Sequence, residues 1–237
     1  MLRYLCFVTV ILGVRSASAP FIKPCKLDDT ACALASAQAA VPFVAPGIPE
    51  LGVKPVDPLH LELVTSDQGG LQLTFRDNIV TGMKGCAVDA LKTDFVKGKQ
   101  QVTIRCTVEL RGNYKLGGRL LVLPIRGEGR YHIKIRDIVI KAFTDITTAD
   151  GADGKPHWHI TSWRHTYHVK TNTHFHFENL FDGNKLLATP VEEFANSNWR
   201  EVMQEIAPPI VKAIVERVVE AVEAVFKAVP ADELYIP

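Results

Sequence analysis

The chain has 237 residues, 47% of them hydrophobic and 22% charged, with a formal net charge of +1 at pH 7. A chain this close to neutral has no general electrostatic attraction for nucleic acid, so nucleic-acid binding is not expected. Its length is sufficient to bury a large hydrophobic core.

The first 19 residues are typical of a secretory signal peptide. Arg3 precedes an apolar run from Leu5 to Val14, and small residues follow up to Ala19. This run is too short to span a bilayer, and no later stretch is long and charge-free enough to do so. We therefore expect a secreted, extracellular protein without stable membrane insertion. It would consist of a signal peptide at 1–19 and a single domain at 20–237.

Four cysteines follow the signal peptide, and export would permit disulfides between them. Cys25 and Cys32 are close in sequence, so we expect a local disulfide that fixes the N-terminal segment. Cys86 and Cys106 form either a second disulfide or two separately buried thiols. Between Cys25 and Cys32, the pair Asp28-Asp29 is interpreted as the cap of a helix that begins there.

Alternating apolar and polar residues predict antiparallel strands from residue 71 onward. In LQLTF the apolar residues share one face, and in VTIRCTVEL every even position from Val102 to Leu110 is apolar. A period of two is typical of a strand with one buried face. In the next strand the apolar residues are odd up to Ile135 and even from Ile138, which predicts a β-bulge near Arg136-Asp137.

Residues 163–178 predict one very long strand with a polar and an apolar face. His168, His174 and His176 fall on the polar face, and the phenylalanines of THFHF fall on the other. Sixteen residues at about 3.3 Å each reach roughly 50 Å, far beyond an ordinary strand. Such a strand indicates an elongated, strongly curved sheet.

The sequence contains no recognisable catalytic set. It lacks the G-x-S-x-G motif of hydrolases and the lysine-containing phosphate loop. Two H-x-H pairs, at 157–159 and 174–176, are candidate zinc ligands, but no motif supplies a third ligand. We predict a protein that is not an enzyme, with no metal site and no cofactor. A histidine-based metal binder is the less favoured alternative.

The C-terminal region predicts a long amphipathic helix from Asn198, with apolar residues at steps of three and four. Asn198 and Glu201 resemble a capping box, and Pro208-Pro209 predict a kink or break. Wrapping the curved sheet around this helix would bury both apolar surfaces. The fold class is therefore α+β, with a long, strongly curved antiparallel sheet around a long C-terminal helix.

Several segments of the chain are distinctive: CKLDDTAC, PGIPELGVKPVDPL, LLVLPIRGEG, and THFHFENLFDGNKLL followed by NSNWREV. In sequence and in order they resemble the insect takeout / juvenile hormone-binding protein family. The resemblance implies a super-roll of the tubular lipid-binding type, secretion into insect haemolymph or similar fluids, and carriage of a small hydrophobic ligand. The implied ligands are terpenoids such as juvenile hormone, fatty acids and related lipids.

Strand parity and this resemblance together predict the lining of an internal tunnel. We expect Tyr131 to offer its hydroxyl to the polar end of a ligand, and the protein to be a monomer. The alternative is a secreted signalling or interaction protein of the same fold with a filled interior. The residues predicted to line the tunnel are Phe43, Leu71, Leu73, Phe75, Tyr131, Ile133, Phe175, Phe177, Trp199 and Val202.

Overall fold

The computed structural model describes residues 19–236. Of the predicted signal peptide, residues 1–18 lie outside the described residues. The helices and strands in chain order are β1 (Cys25–Lys26), α1 (Thr30–Val44), β2 (Leu59–Gln68), β3 (Leu71–Thr81), β4 (Ala87–Asp94), β5 (Lys99–Leu120), β6 (Leu123–Asp150), β7 (Pro156–Phe177), α2 (Lys185–Ser197), α3 (Trp199–Ala228), α4 (Ala231–Leu234) and β8 (Tyr235–Ile236).

Six of these strands form one antiparallel sheet, and its strand lengths explain its shape. The order is β2-β3-β5-β6-β7, and β4 lies end to end with β3 against the same edge of β5. Strands β5, β6 and β7 have 22, 28 and 22 residues. Helix α3 contacts both β2 and β7, the two outer strands of the sheet. The sheet therefore curves around the helix, and the predicted α+β class is confirmed.

The predicted β-bulge in β6 is present. Register shifts occur between Cys106 and Val108 on β5 and between Arg136 and Ile138 on β6. Asp137 has a positive φ of 53°, and its backbone N–H donates to Oγ1 of Thr107 at 3.3 Å. The extra residue lets apolar side chains on both sides of the bulge point inward.

Strand β7 is a single long strand, as its alternating pattern predicts. His168, His174 and His176 are exposed, whereas both phenylalanines of THFHF are buried. The metal hypothesis gains no support from the geometry. Within residues 19–236, no group of three or more histidine, cysteine or acidic side chains is arranged to hold a metal ion.

The capping box predicted at Asn198 and a break of helix α3 at its two prolines are both contradicted. Asn198 forms no side-chain cap on α3; its Nδ2 donates to the carbonyl oxygen of Phe194 at 2.8 Å, because Asn198 also ends α2. The helix also continues through Pro208 and Pro209 without a break. Buried residues directly before and after the prolines, including Ile206 and Ile210, pack against the sheet and stabilise the helix there. In the part of the chain described, no helix has the length and apolar character to cross a bilayer.

Candidate functional site: an apolar cavity between the sheet and two helices

One half of the interior is filled by aromatic side chains. The ring centroids of Phe75 and Tyr131 are 4.5 Å apart, and those of Tyr114 and Phe177 are 4.9 Å apart. The hydroxyl of Tyr114 donates to the carbonyl oxygen of Glu178 at 2.7 Å. Burial raises the pKa of both tyrosines. This half is an ordinary packed core.

The other half contains a cavity of about 380 Å³. That volume lies within the roughly 300–1,000 Å³ that small-molecule sites occupy. The cavity is bordered by β4, β5, β6, β7, helix α1 and the C-terminal part of α3. Its aliphatic walls are Val88, Leu91, Val102, Ile104, Val108, Ile135, Ile138, Ile140 and Ala142 from the sheet, and Ile210, Val211, Ile214, Val215, Val218, Val219, Val222 and Val225 from α3.

Helix α1 covers one side of the cavity, and its small side chains leave the cavity unfilled. Ala33, Ala37 and Ala40 border the cavity at helical spacing. Because their side chains end at Cβ, they leave space that larger residues would fill. The alanine-rich segment ACALASAQAA is therefore the sequence signal for this empty volume.

Three local interactions hold α1 in place. Asp29 caps the helix by accepting from the backbone N–H of Cys32 at 2.9 Å, which confirms the capping prediction. Gln38 bonds the backbone of β4 and of the residue before it, accepting from Val88 N–H at 2.7 Å and donating to the Cys86 carbonyl at 3.2 Å. Ser36 joins the helix to the backbone of Lys23 at 2.8 and 2.9 Å.

Both disulfides lie beside this cavity. Cys25 is bonded to Cys32, as predicted, and Cys86 is bonded to Cys106, so the alternative of two separate thiols is excluded. The first disulfide anchors β1 to the start of α1. The second connects the segment between β3 and β4 to β5.

An aromatic cluster closes one end of the cavity. The Trp158 ring stacks on Tyr235 at 5.3 Å and meets Phe226 edge-on at 5.3 Å. The ring of Phe95 lies 5.5 Å from Trp158 and 5.6 Å from Tyr235. The pairing of β1 with β8 places Tyr235 beside Cys25. The C-terminal segment and the first disulfide thus meet at this end.

A buried histidine supports the same end from outside the cavity. His157 is only 3% exposed. Its Nδ1 lies 3.3 Å from the carbonyl oxygen of Phe226, and its Nε2 lies 3.1 Å from Oδ1 of Asp153. The backbone N–H of Lys155, and then His157, lower the pKa of the Asp153 carboxyl. This histidine connects the β6–β7 turn to helix α3.

The ten residues predicted to line the tunnel lie away from the cavity. The residues Leu71, Leu73, Phe75, Tyr131, Ile133, Phe175, Phe177 and Val202 are buried, but none of them borders the empty volume. Trp199 is partly buried, and Phe43 is 53% exposed, stacked on Phe21 at a centroid distance of 5.4 Å. Strand parity identified the inward face correctly. It carries no information on which part of the interior is empty.

The comparisons with known proteins agree with this architecture. The family model described as haemolymph juvenile hormone binding protein (JHBP) matches residues 4–236. The chain belongs to the JHBP family. This confirms the resemblance found in the sequence, and membership supports a role in carrying hydrophobic ligands.

Three known proteins are similar to this chain over most of its length. The crystal structure of Takeout 1 from Epiphyas postvittana superposes with a TM-score of 0.88 at 31% identity, covering 91% of this chain and all of that one. The circadian clock-controlled protein daywake of Drosophila melanogaster is 26% identical over 226 residues, 90% of this chain and 86% of daywake. A putative beta-carotene-binding protein of Schistocerca gregaria is 22% identical over 204 residues, 85% of this chain and 81% of that protein.

Proposed function

We propose that this protein is a secreted carrier that encloses one small hydrophobic molecule in the cavity between the sheet, α1 and α3. The observation that carries the proposal is the aliphatic cavity of about 380 Å³. Burying 300 Å² of apolar ligand surface at about 25 cal/mol per Å² contributes roughly 7 kcal/mol before ordering costs. Without ordering costs, that free energy would correspond to a dissociation constant of roughly 10 μM with no charged contact.

The proposed ligands are a terpenoid, a fatty acid or a related lipid. Family membership supports this class, and a relative named as a putative carotene-binding protein is consistent with it. In the described residues we find no arrangement of acid, base and nucleophile beside the cavity. The proposed role is therefore binding rather than catalysis.

The proposal includes secretion as a single, monomeric domain of residues 20–237. Two disulfides support an oxidising compartment, because such bonds are rare in the cytosol. Expression in insect cells should deliver the protein to the medium with its N-terminus near residue 20. Size-exclusion chromatography with light scattering should give the mass of one chain.

Ligand binding is tested by titration with an apolar fluorescent probe, followed by displacement with terpenoids and fatty acids. We expect saturable binding with one site per chain, and native mass spectrometry should show the same stoichiometry. If neither probe nor displacers bind, the carrier function is wrong, and an interaction protein of the same fold becomes the better hypothesis.

A matched pair of variants tests whether the cavity is the site. Ala37 borders the cavity and Ala39 is exposed on the same helix. Ala37→Phe should fill part of the volume and weaken probe binding at least tenfold, whereas Ala39→Phe should leave binding unchanged. Circular dichroism of both variants verifies that each is folded. Equal binding by the two variants would place the ligand elsewhere.

A further inference from the structure

A single row of polar side chains crosses the otherwise aliphatic wall of the cavity. Thr93 on β4 pairs with Gln100 on β5, and Gln100 pairs with Thr144 on β6. All three residues border the cavity. Paired residues on adjacent strands lie side by side on the same face of a sheet, so the three form one row perpendicular to the strands.

The hydrogen bonding of this row is incomplete. Nε2 of Gln100 donates to Oγ1 of Thr93 at 3.1 Å. Thr144 is 8% exposed, and its Oγ1 is buried without a hydrogen-bond partner among the described residues. A buried hydroxyl that bonds nothing destabilises a protein, because it has lost its hydrogen bonds to water. Oγ1 of Thr144 has almost no accessible surface, so rotation of the side chain about χ1 would be needed to turn the hydroxyl towards an oxygen atom of a molecule in the cavity.

The residues next to this row are apolar, so the row is the polar part of the sheet wall of the cavity. Two residues further along the three strands, on the same face, lie Leu91, Val102 and Ala142, and all of them border the cavity. In the other direction the row is followed by Phe95 of the aromatic cluster. On the sheet side, a molecule in the cavity therefore meets an aliphatic wall and, near the aromatic end, this polar band.

The charged residues next to the row point to the other face of the sheet. Lys92, Asp94 and Lys99 are exposed, and Lys99 forms an ion pair with Asp145 at 2.9 Å. No cationic side chain belongs to the row itself. A carboxylate placed there would be buried without a counter-charge, which is strongly unfavourable. A neutral oxygen would accept from the Thr144 hydroxyl at no such cost.

We infer that Thr93, Gln100 and Thr144 form a subsite for a neutral oxygen function of the ligand, such as an ester, ketone, ether or alcohol. This inference rests on the proposed carrier function and specifies its ligand class: a mostly apolar molecule with a neutral oxygen near the aromatic end. An ionised fatty acid would have to place its carboxylate outside the subsite. Lys23 and Lys26, which border the cavity and are exposed, offer it an ion-pairing position.

The decisive substitution is Thr144→Val, which removes the hydroxyl and keeps the shape. Thr173→Val is the matched control, because Oγ1 of Thr173 is also buried without a partner among the described residues, but Thr173 does not border the cavity. Both variants remove an unsatisfied hydroxyl, so both should unfold at the same or higher urea concentration than the wild type. Weaker binding by Thr144→Val cannot then be attributed to a damaged fold.

Binding is measured for three probes of equal chain length: a saturated alkane, its methyl ester and its carboxylic acid, at pH 7.5. We expect Thr144→Val to weaken ester binding about 3- to 10-fold, the contribution of one hydrogen bond. Alkane and acid binding should be unchanged, and Thr173→Val should bind all three probes like the wild type.

The possible outcomes separate the subsite from the carrier function. If the wild type binds the probes but Thr144→Val binds the ester equally well, the subsite is wrong and the carrier function stands. If Thr144→Val weakens binding of the acid as much as binding of the ester, the row is not selective for neutral oxygen, and the inference is also overturned. If the wild type binds none of the probes, the carrier function and the subsite fail together.

Discussion

The hydroxyl of Tyr131 donates a hydrogen bond of 2.6 Å to Oδ1 of Asn78 in the filled half of the interior. Asn78 is fully buried, and its Nδ2 donates to the carbonyl oxygen of Leu61 at 2.8 Å. The register of β3 against β5 shifts between Arg76 and Ile79, next to this asparagine. The buried polar group is thus satisfied by the protein itself, and the Tyr131 hydroxyl has a structural partner rather than a ligand.

Tyr131→Phe should destabilise the protein by about 1–3 kcal/mol, because Oδ1 of Asn78 is left buried without a donor. Urea denaturation measures the change. Tyr167→Phe is the control: the Tyr167 hydroxyl lies 3.4 Å from the Met203 carbonyl oxygen, so less is lost. Neither variant should alter probe binding. Normal stability with lost binding in Tyr131→Phe would instead make this hydroxyl a ligand contact.

Gly118→Ala should lower the melting temperature clearly, and Gly117→Ala should not. Gly118 has a φ of 100°, and a Cβ there would overlap the carbonyl oxygen of Gly70. At Gly117 the nearest atom to a new Cβ is Oε1 of Gln72 at 3.9 Å. We expect a loss of at least about 1–2 kcal/mol for Gly118→Ala, from the unfavourable backbone conformation and the overlap. Equal melting temperatures would contradict the close approach of β3 and β5.

Glu109 should contribute stability at neutral pH that disappears in acid. The Lys134 ammonium at 2.7 Å, together with His132 and Arg111, lowers the pKa of Glu109 to about 2. A carboxyl whose pKa is lower in the folded than in the unfolded state stabilises the fold above the unfolded pKa. That stability is lost as pH falls from about 4.5 towards 2.

Glu109→Gln should therefore be less stable than the wild type by about 1 kcal/mol at pH 7, and the two should converge near pH 2. Urea midpoints across this pH range provide the measurement. Glu128→Gln serves as control, because Glu128 and its partner Lys115 are both highly exposed and such pairs contribute little. A difference between Glu109→Gln and wild type that persists at pH 2 would show that charge pairing is not the cause.

The Cys86–Cys106 disulfide should stabilise the protein more than the Cys25–Cys32 disulfide. The two bonds join cysteines 20 and 7 positions apart. In the chain-entropy model, closing the longer loop contributes about 3 kcal/mol and the shorter one about 2 kcal/mol. Paired cysteine-to-alanine variants, compared by urea denaturation, give the order. The reverse order would indicate that the N-terminal disulfide acts by fixing α1 rather than through loop length.

The sequence predicted correctly which face of each strand is buried. It did not predict which part of that face borders the cavity. Alternation located the bulge at Asp137, because period-two patterns report directly on the pleat. The capping box at Asn198 failed because α2 ends where α3 begins, a tertiary arrangement that the local sequence does not show. An internal tunnel was predicted, but its position was missed, because the position depends on small residues of α1 facing β4 to β6. Only the position of α1 in the folded protein shows that Ala37 borders the cavity.

The valine-rich wall of α3 has a consequence for how this protein would choose among ligands. Valine and isoleucine in a helix hold essentially one side-chain rotamer, and α3 contributes Val211, Val215 and Val218 among other such residues to the cavity. Among residues 19–236, Met83 is the one flexible thioether that borders it, unlike the methionine-rich surfaces of promiscuous binders. The walls of the cavity are therefore rigid. Straight-chain and branched isomers of equal volume should therefore differ in affinity because one of them cannot conform to its walls.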